Sequence, residues 1–281
     1  MEKIKKKILI LGGAGMLGHI LLKKLCSNNT YEVYDITRKK EDRRNNYSCD
    51  VVNFNSLNEI ISQIKPDCIV NCIGVLIKSS KEDPSNAILI NAVLPHKLVE
   101  FSKAIKAKLI HISTDCVFDD SKGSYIESDA KTAQDTYGLS KSLGEIKNKN
   151  LTLRTSIIGP ELKDNGEGLF SWFINQKGEV NGFTESIWGG VTTLVLADVI
   201  IKSINENHTG LIHVTNGKSI SKYDLLNLIK DKFELNEINL KRVSGKRSDK
   251  SLKTKFSYFQ IPTYEEMILD MKNFIKKNNY I

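Results

Sequence analysis

Tyr137-Gly138-Leu139-Ser140-Lys141 places a phenol and an ammonium four residues apart. On a helix such a pair shares one face, a turn apart. The ammonium stabilises tyrosinate, so the tyrosine pKa is expected to fall towards working pH. Tyr137 could then exchange a proton with a substrate carbonyl or hydroxyl. This spacing alone also describes many ordinary surface pairs, so it needs company. His111-Ile112-Ser113-Thr114-Asp115-Cys116-Val117-Phe118-Asp119 closes an apolar run. In open α/β sheets ligands bind outside the carboxyl ends of strands. A hydroxyl there can hydrogen-bond the reacting oxygen beside the tyrosine. Thr114 is the candidate, with a helix or turn cap as its plainer role.

A second constellation lies near the N-terminus. Gly12-Gly13-Ala14-Gly15-Met16-Leu17-Gly18 follows the run Lys7-Ile8-Leu9-Ile10-Leu11 and opens a helical pattern. Gly12 permits a tight turn. Gly15 lets backbone approach a pyrophosphate, whose charge a helix N-terminus would meet, and Gly18 lets the helix pack closely. The nicotinamide cofactor is chosen at the end of the second strand. An acid there would hold a ribose 2′-hydroxyl and an arginine a 2′-phosphate. The chain offers both, as Asp35 and as Thr37-Arg38-Lys39-Lys40. Counting from Glu32-Val33 puts the discriminating position nearer Thr37 and Arg38. NADPH is therefore the expected cofactor and NADH the alternative, unless Arg38 to Lys40 is only a solvated loop.

These residues need a frame. Helical patterns are expected over Met16 to Cys26, Asn55 to Lys65, Ala87 to Lys106 and Tyr137 to Lys147. Strands are expected over Lys7 to Leu11, Tyr31 to Thr37, Cys68 to Cys72, Lys108 to Ser113 and Leu151 to Ile158, with one more ending at Asp50-Val51. Alternation of this kind predicts a Rossmann-type, doubly wound parallel α/β sheet. Beyond Pro160 the pattern loses regularity. Residues 1–160 are read as the dinucleotide-binding domain. Residues 161–281 are read as a smaller substrate-binding region interleaved with it.

Composition narrows the classes. With 281 residues, 40% of them hydrophobic, the chain can bury a large core. The net charge of +8 invites a nucleic-acid reading, but many lysines cluster at the ends (Lys3, Lys5, Lys6, Lys7; Lys272, Lys276, Lys277) and read as solvated termini. The surplus still favours a phosphate-bearing ligand. Cys26, Cys49, Cys68, Cys72 and Cys116 show no metal-site spacing, so no metal is expected. A scattered, odd set of cysteines suits a reducing compartment. Lys5 to Lys7 run straight into a strand, so no signal peptide is expected. No apolar run reaches the roughly 18 residues a membrane span needs. A cytoplasmic location follows, with neither a membrane nor a nucleic-acid partner.

The motifs together resemble a known family. The GxxGxxG spacing is typical of extended short-chain dehydrogenases. Ser113-Thr114-Asp115-Cys116-Val117-Phe118-Asp119 is similar to the STDYVFDG motif of dTDP-4-dehydrorhamnose reductases, and Tyr137 to Lys141 to their YGxSK. Leu153-Arg154-Thr155-Ser156 matches their LRTS strand. Gly210-Leu211-Ile212-His213-Val214, preceded by Ala197-Asp198, resembles their GxYH strand, and Lys246-Arg247-Ser248 with Leu252 a late R-P-x-x-S-x-L. The resemblance spans nearly the whole chain and is strongest from 110 to 160. It implies hydride transfer to a 4-keto nucleotide sugar, with Thr114, Tyr137 and Lys141 catalytic. The cofactor set is Gly12, Ala14, Gly15, Met16, Leu17, Thr37, Arg38, Asp50, Val51, Cys72, Ile73, Gly74, Asn91 and Ser113, together with Tyr137 and Lys141. The substrate set is Val75, Cys116, Phe118, Ile157, Trp188 and Arg247.

Two departures stand out. Cys116 replaces the motif tyrosine, and Ile157 replaces the tryptophan after LRTS. Both positions face the sugar in the family, so a UDP-linked 4-keto amino sugar for surface polysaccharide fits as well as dTDP-4-keto-rhamnose. Trp188 is read either as pocket or as core. A 4,6-dehydratase would carry Thr-Asp-Glu, and Cys116 is a poor replacement for that carboxylate. Two alternatives stay open: a nucleotide-sugar 4-epimerase, and a non-catalytic cofactor-binding subunit such as that of methionine adenosyltransferase. A homodimer is compatible with the sequence, which does not determine oligomeric state.

Overall fold

The computed structural model describes residues 5–162, 166–278 and 280; Lys3 of the N-terminal lysine cluster lies outside them. The described residues fall into two compact units. The first gathers Met1–Val117, Ala133–Arg154 and Ile200–Ile212; the second gathers Phe118–Thr132, Thr155–Val199 and His213–Ile281.

The first unit is built on the central parallel sheet, whose strands β1 to β6 are Lys6–Leu11, Tyr31–Thr37, Asn46–Ser48, Cys68–Asn71, Lys108–Thr114 and Leu151–Thr155. The strand Gly210–His213 completes seven. Spatial order runs β3, β2, β1, β4, β5, β6 and then Gly210–His213. Chain order therefore reverses between β1 and β4, which makes their carboxyl ends the switch point where such sheets bind ligands. Ile8 to Leu11 are wholly buried, as a strand covered on both faces must be. Leu9 and Leu11 join a core with Leu57, Ile61, Leu94 and Leu98, drawn from helix α2 (Phe54–Ile64) and the helix Leu94–Ala104. Helix α1 (Gly18–Cys26) buries Ile20, Leu21 and Leu25.

Several boundaries differ from the sequence reading for local reasons. Helix α1 starts at Gly18, because residues 12–17 form the turn itself, with Gly12 at φ +86°. The third strand ends at Ser48, short of Asp50-Val51. Those two residues lead into α2, which the Asn53 side chain caps by accepting from Ser56 N–H. The long helix expected over 87–106 is an α-helix broken at Leu89–Val93 by a π-helical turn that contains Asn91. The tyrosine helix runs over Thr136–Leu143, and Leu151–Ile158 splits into Leu151–Thr155 and Ile157–Ile158.

The second unit is assembled from short pieces. Gly178–Phe183 pairs in parallel with Ile238–Val243. Ser186–Trp188 pairs with Ile220–Ser221 and with Ser248–Asp249. The helix Tyr264–Lys277 starts at a reciprocal cap between Thr263 and Glu266. No helix among the described residues is long and apolar enough to cross a membrane.

Candidate active site

The glycine loop sits between β1 and α1. Gly12 N–H donates to Ile36 O at 2.9 Å, fixing the loop against the end of β2. A side chain at Gly18 would overlap the Gly12 carbonyl, so the loop and the start of α1 can close only around glycine. The N-terminus of α1 carries the partial positive charge that suits a phosphate, and His19 N–H there is engaged by Gly15 O at 3.1 Å. The loop after β4 lies alongside: Cys72 N–H donates to Leu11 O at 3.1 Å. Asn71 Oδ1 accepts from Ile73 N–H at 3.1 Å. Asn91, wholly buried, accepts from Val75 N–H at 2.9 Å and donates to Val75 O at 3.0 Å and to Ser140 Oγ at 3.1 Å. The π-helical turn thus ties the loop 72–75 to the helix that carries Tyr137. π-Bulges recur at functional sites for this reason: they redirect one side chain without ending the helix.

Thr114 closes β5, and Tyr137 and Lys141 rise from the Thr136–Leu143 helix. Asp135 starts that helix by accepting from Gly138 N–H at 2.9 Å. The Thr114 hydroxyl donates to Asp115 Oδ1 at 3.1 Å and lies near enough to the Tyr137 phenol to act on its pKa. Cys116 N–H donates to Thr114 Oγ1 at 3.1 Å, holding the hydroxyl in place. Lys141 is 4% exposed, and its ammonium donates to Ile112 O at 2.6 Å. Burial pushes this ammonium down to about 8, and the Glu145 carboxylate pulls it back up. The Tyr137 phenol behaves otherwise than expected. Burial, reinforced by the neighbouring Cys116 thiol, raises its pKa well above the usual range, and the nearby Thr114 hydroxyl opposes this only in part. Desolvation is the dominant cause.

Beneath these groups runs a buried polar network absent from the sequence reading. Glu145 Oε1 accepts from Ser113 Oγ at 2.8 Å and from Arg154 Nε at 2.8 Å, and Arg154 Nη2 donates to Glu145 Oε2 at 2.7 Å. It locks β5 and β6 to the chain just past the tyrosine helix. Its signal was available, since Glu145 continues the Tyr137–Lys141 spacing by four and Arg154 sits inside LRTS.

The other assigned positions are spread out. Ala14, Gly15, Met16 and Ile73 are half-buried along the loops, Gly74 is exposed, and Val75 is half-buried. Leu17 and Val51 turn their side chains into the core, leaving only backbone for a ligand. Asp50 and Arg38 are exposed. Thr37 is buried and donates to Lys39 O at 2.6 Å. Cys116 and Ile157 are half-buried, and Arg247 is exposed. Phe118 is a correction. It is wholly buried, stacked on Tyr125 with centroids 4.1 Å apart and set edge-on to His213, so it packs the second unit instead of lining a pocket. Trp188 is also core, 6% exposed, with its indole N–H donating to Ser156 Oγ at 2.9 Å. All five cysteines are free thiols. No cluster of metal-ligating side chains occurs among the described residues.

A glycine loop at the switch point of a doubly wound sheet, with a Thr/Tyr/Lys cluster at the end of β5 two strands away, is the architecture of Rossmann-type short-chain reductases. The chain belongs to the family described as RmlD substrate binding domain, whose model matches residues 6–268. It is 26% identical over 268 residues to the spore coat polysaccharide biosynthesis protein SpsK of Bacillus subtilis, covering 92% of this chain and 91% of that one. It is 28% identical over 231 residues to a dTDP-4-dehydrorhamnose reductase of Aggregatibacter actinomycetemcomitans, covering 78% and 76%. The crystal structure of dTDP-4-dehydrorhamnose reductase from Bacillus anthracis, in complex with NADP, superimposes with a TM-score of 0.81 at 24% identity, over 97% of this chain and all of that one.

Proposed function

We propose that this chain is a cytoplasmic, NADPH-dependent reductase of a 4-keto-6-deoxy sugar carried on a nucleoside diphosphate. The observation that carries this reading is the grouping of the Thr114 hydroxyl, the Tyr137 phenol and the buried Lys141 ammonium at the carboxyl end of β5, next to the strands that flank the switch point. The names of the reductase relatives support the substrate class, and the NADP complex of one supports the cofactor. The name of SpsK supports a role in surface polysaccharide synthesis. A UDP-linked amino sugar is the finer form of the proposal, motivated by Cys116 and Ile157 where the family carries larger aromatics.

The residues fit the cofactor. The glycine loop and the start of α1 would hold the pyrophosphate, and Thr37, Arg38 and the loop 72–75 would hold the adenosine and the nicotinamide half. Bound NADPH supplies the hydride for C4 of the sugar. Tyr137 then gives its proton to the developing alkoxide. Its raised pKa keeps it protonated, which suits a proton donor. Thr114 hydrogen-bonds the same oxygen and orients the phenol. Lys141, held by Ile112 O, brings positive charge to the site.

The test is a screen of dTDP- and UDP-linked 4-keto sugars for NADPH oxidation, with products identified by NMR. One NADPH should be consumed per C4 alcohol formed. Interconversion at C4 without net NADPH consumption would assign an epimerase instead. Tight cofactor binding with no turnover of any 4-keto sugar would leave only a binding subunit.

A further inference from the structure

We infer that Arg43, anchored on the buried carboxylate of Asp35, is the residue that selects the 2′-phosphate of the cofactor. This rests on the NADPH reading above and deepens it.

Dinucleotide folds choose between cofactors where β2 meets the glycine loop. Leu11 pairs with Ile36, so Gly12 lies level with Thr37 at the strand end. Thr37 carries no charge, and its hydroxyl is engaged by Lys39 O and by Asn46 Nδ2 at 2.9 Å. Asp35 lies on the same face one pleat deeper. It is 1% exposed, and both its oxygens are engaged. Arg43 Nε donates to Oδ1 at 3.2 Å; Arg43 Nη2 at 2.5 Å and Asn46 Nδ2 at 3.0 Å donate to Oδ2. A side chain at Gly13 would overlap this carboxylate, so the ion pair touches the glycine loop itself.

An acid that recognises a ribose must have an oxygen to offer the 2′-hydroxyl. Three of the carboxylate's roughly four acceptor positions are taken by Arg43 and Asn46, and the group is shut off from solvent. The half of the pair that reaches solvent is the cation: the Arg43 side chain is 29% exposed against 1% for Asp35. A guanidinium has five N–H donors, and Asp35 takes two, leaving donors that can grip a phosphate in the fork geometry that suits it. The other carboxylate near Arg43, Glu41 Oε2, is 3.5 Å from Nη1, and its side chain is 40% exposed. Such a loose surface pair gives way at little cost. Asp35 thus acts as the anchor that aims Arg43, and Arg38, exposed at the strand end, is an auxiliary charge.

The test is calorimetric titration of the whole chain with 2′,5′-ADP and 5′-AMP, which report on the adenosine end without turnover. The wild type should prefer 2′,5′-ADP. The double variant Asp35→Asn/Arg43→Ala removes both charges together, so no buried carboxylate is left unpaired. It should lose about tenfold or more in affinity for 2′,5′-ADP and keep 5′-AMP within about twofold, the scale of one lost charge-assisted contact. Arg38→Ala should lose less. Arg43→Lys keeps the charge on Asp35 but not the fork; it should lose 2′,5′-ADP affinity too, and it serves if the double variant fails to fold. Retained preference in the Arg43 variants, or equal weakening of both ligands, overturns the inference and leaves the NADPH reading standing. A wild type without preference for 2′,5′-ADP overturns both.

Discussion

At the scale of single residues, the site is a contest between burial and charge. The Tyr137 phenol is raised and the Lys141 ammonium lowered, each by desolvation first. For a reductase this helps the tyrosine, which must arrive protonated. Tyr137→Phe should reduce kcat by about a hundredfold or more, the usual scale for losing a positioned acid. Its NADPH dissociation constant should stay close to the wild-type value; near-normal turnover would remove Tyr137 from the mechanism. Lys141 sets the pH dependence. Because its pKa sits at about 8, its charge is present below that pH and lost above it, so kcat/KM should fall as pH rises through about 8. The same depression makes the charged form costly to bury. That cost is fully felt below about 8 and is relieved as pH rises towards the ordinary lysine range. Glu145 raises the Lys141 pKa, so Glu145→Gln should move the basic limb of the profile to lower pH. An unmoved limb in that variant would show that another group titrates there.

At the scale of elements, the chemistry depends on how closely the tyrosine helix meets the end of β5. Gly138 lies against the Cys116 carbonyl and the Ala133 side chain, so an added methyl would overlap backbone, which cannot swing aside. Gly138→Ala should therefore push Tyr137 away from Thr114. The expected result is a loss of kcat of about tenfold or more, since small misplacements at a reacting centre slow the reaction steeply. Thermal melting should report a folded protein, and wild-type turnover would show that the helix tolerates the shift. The Arg154–Glu145 pair fixes the same helix from below. Arg154→Met would leave a buried carboxylate unpaired, and denaturant unfolding should show about 3–5 kcal/mol lost. A loss under about 1 kcal/mol would mean that Glu145 takes up a proton or finds water instead.

At the scale of the whole molecule, the first unit is discontinuous in sequence. Ile200, Ile204 and Ile212 are buried in it, Tyr31 donates to Asn205 Oδ1 at 2.7 Å, and Lys6 donates to Ile204 O at 2.9 Å. A fragment ending at residue 160 would lack all of these and would bare the outer edge of β6. Such an edge invites pairing with other chains. The fragment should show no cooperative melting transition and should aggregate; a sharp, reversible transition would mean that Ile200–Ile212 is dispensable.

The sequence by itself determined the alternation of strands and helices, because buried parallel strands and amphipathic helices leave local periodicities. It also marked the glycine loop, Thr114 and the Tyr137–Lys141 pair, whose chemistry depends on residue type and short spacing. It determined less where contacts span distance. Nothing local distinguishes Asp35 as a ribose acceptor from Asp35 as an anchor for Arg43; that was decided by burial and by an arginine eight residues on. Phe118 sits in a motif but was claimed by Tyr125 and His213, the latter 95 positions away in the chain. The tyrosine pKa reversed direction for the same reason: its neighbours are readable in the sequence, but the water it loses on burial is a property of the packed fold alone.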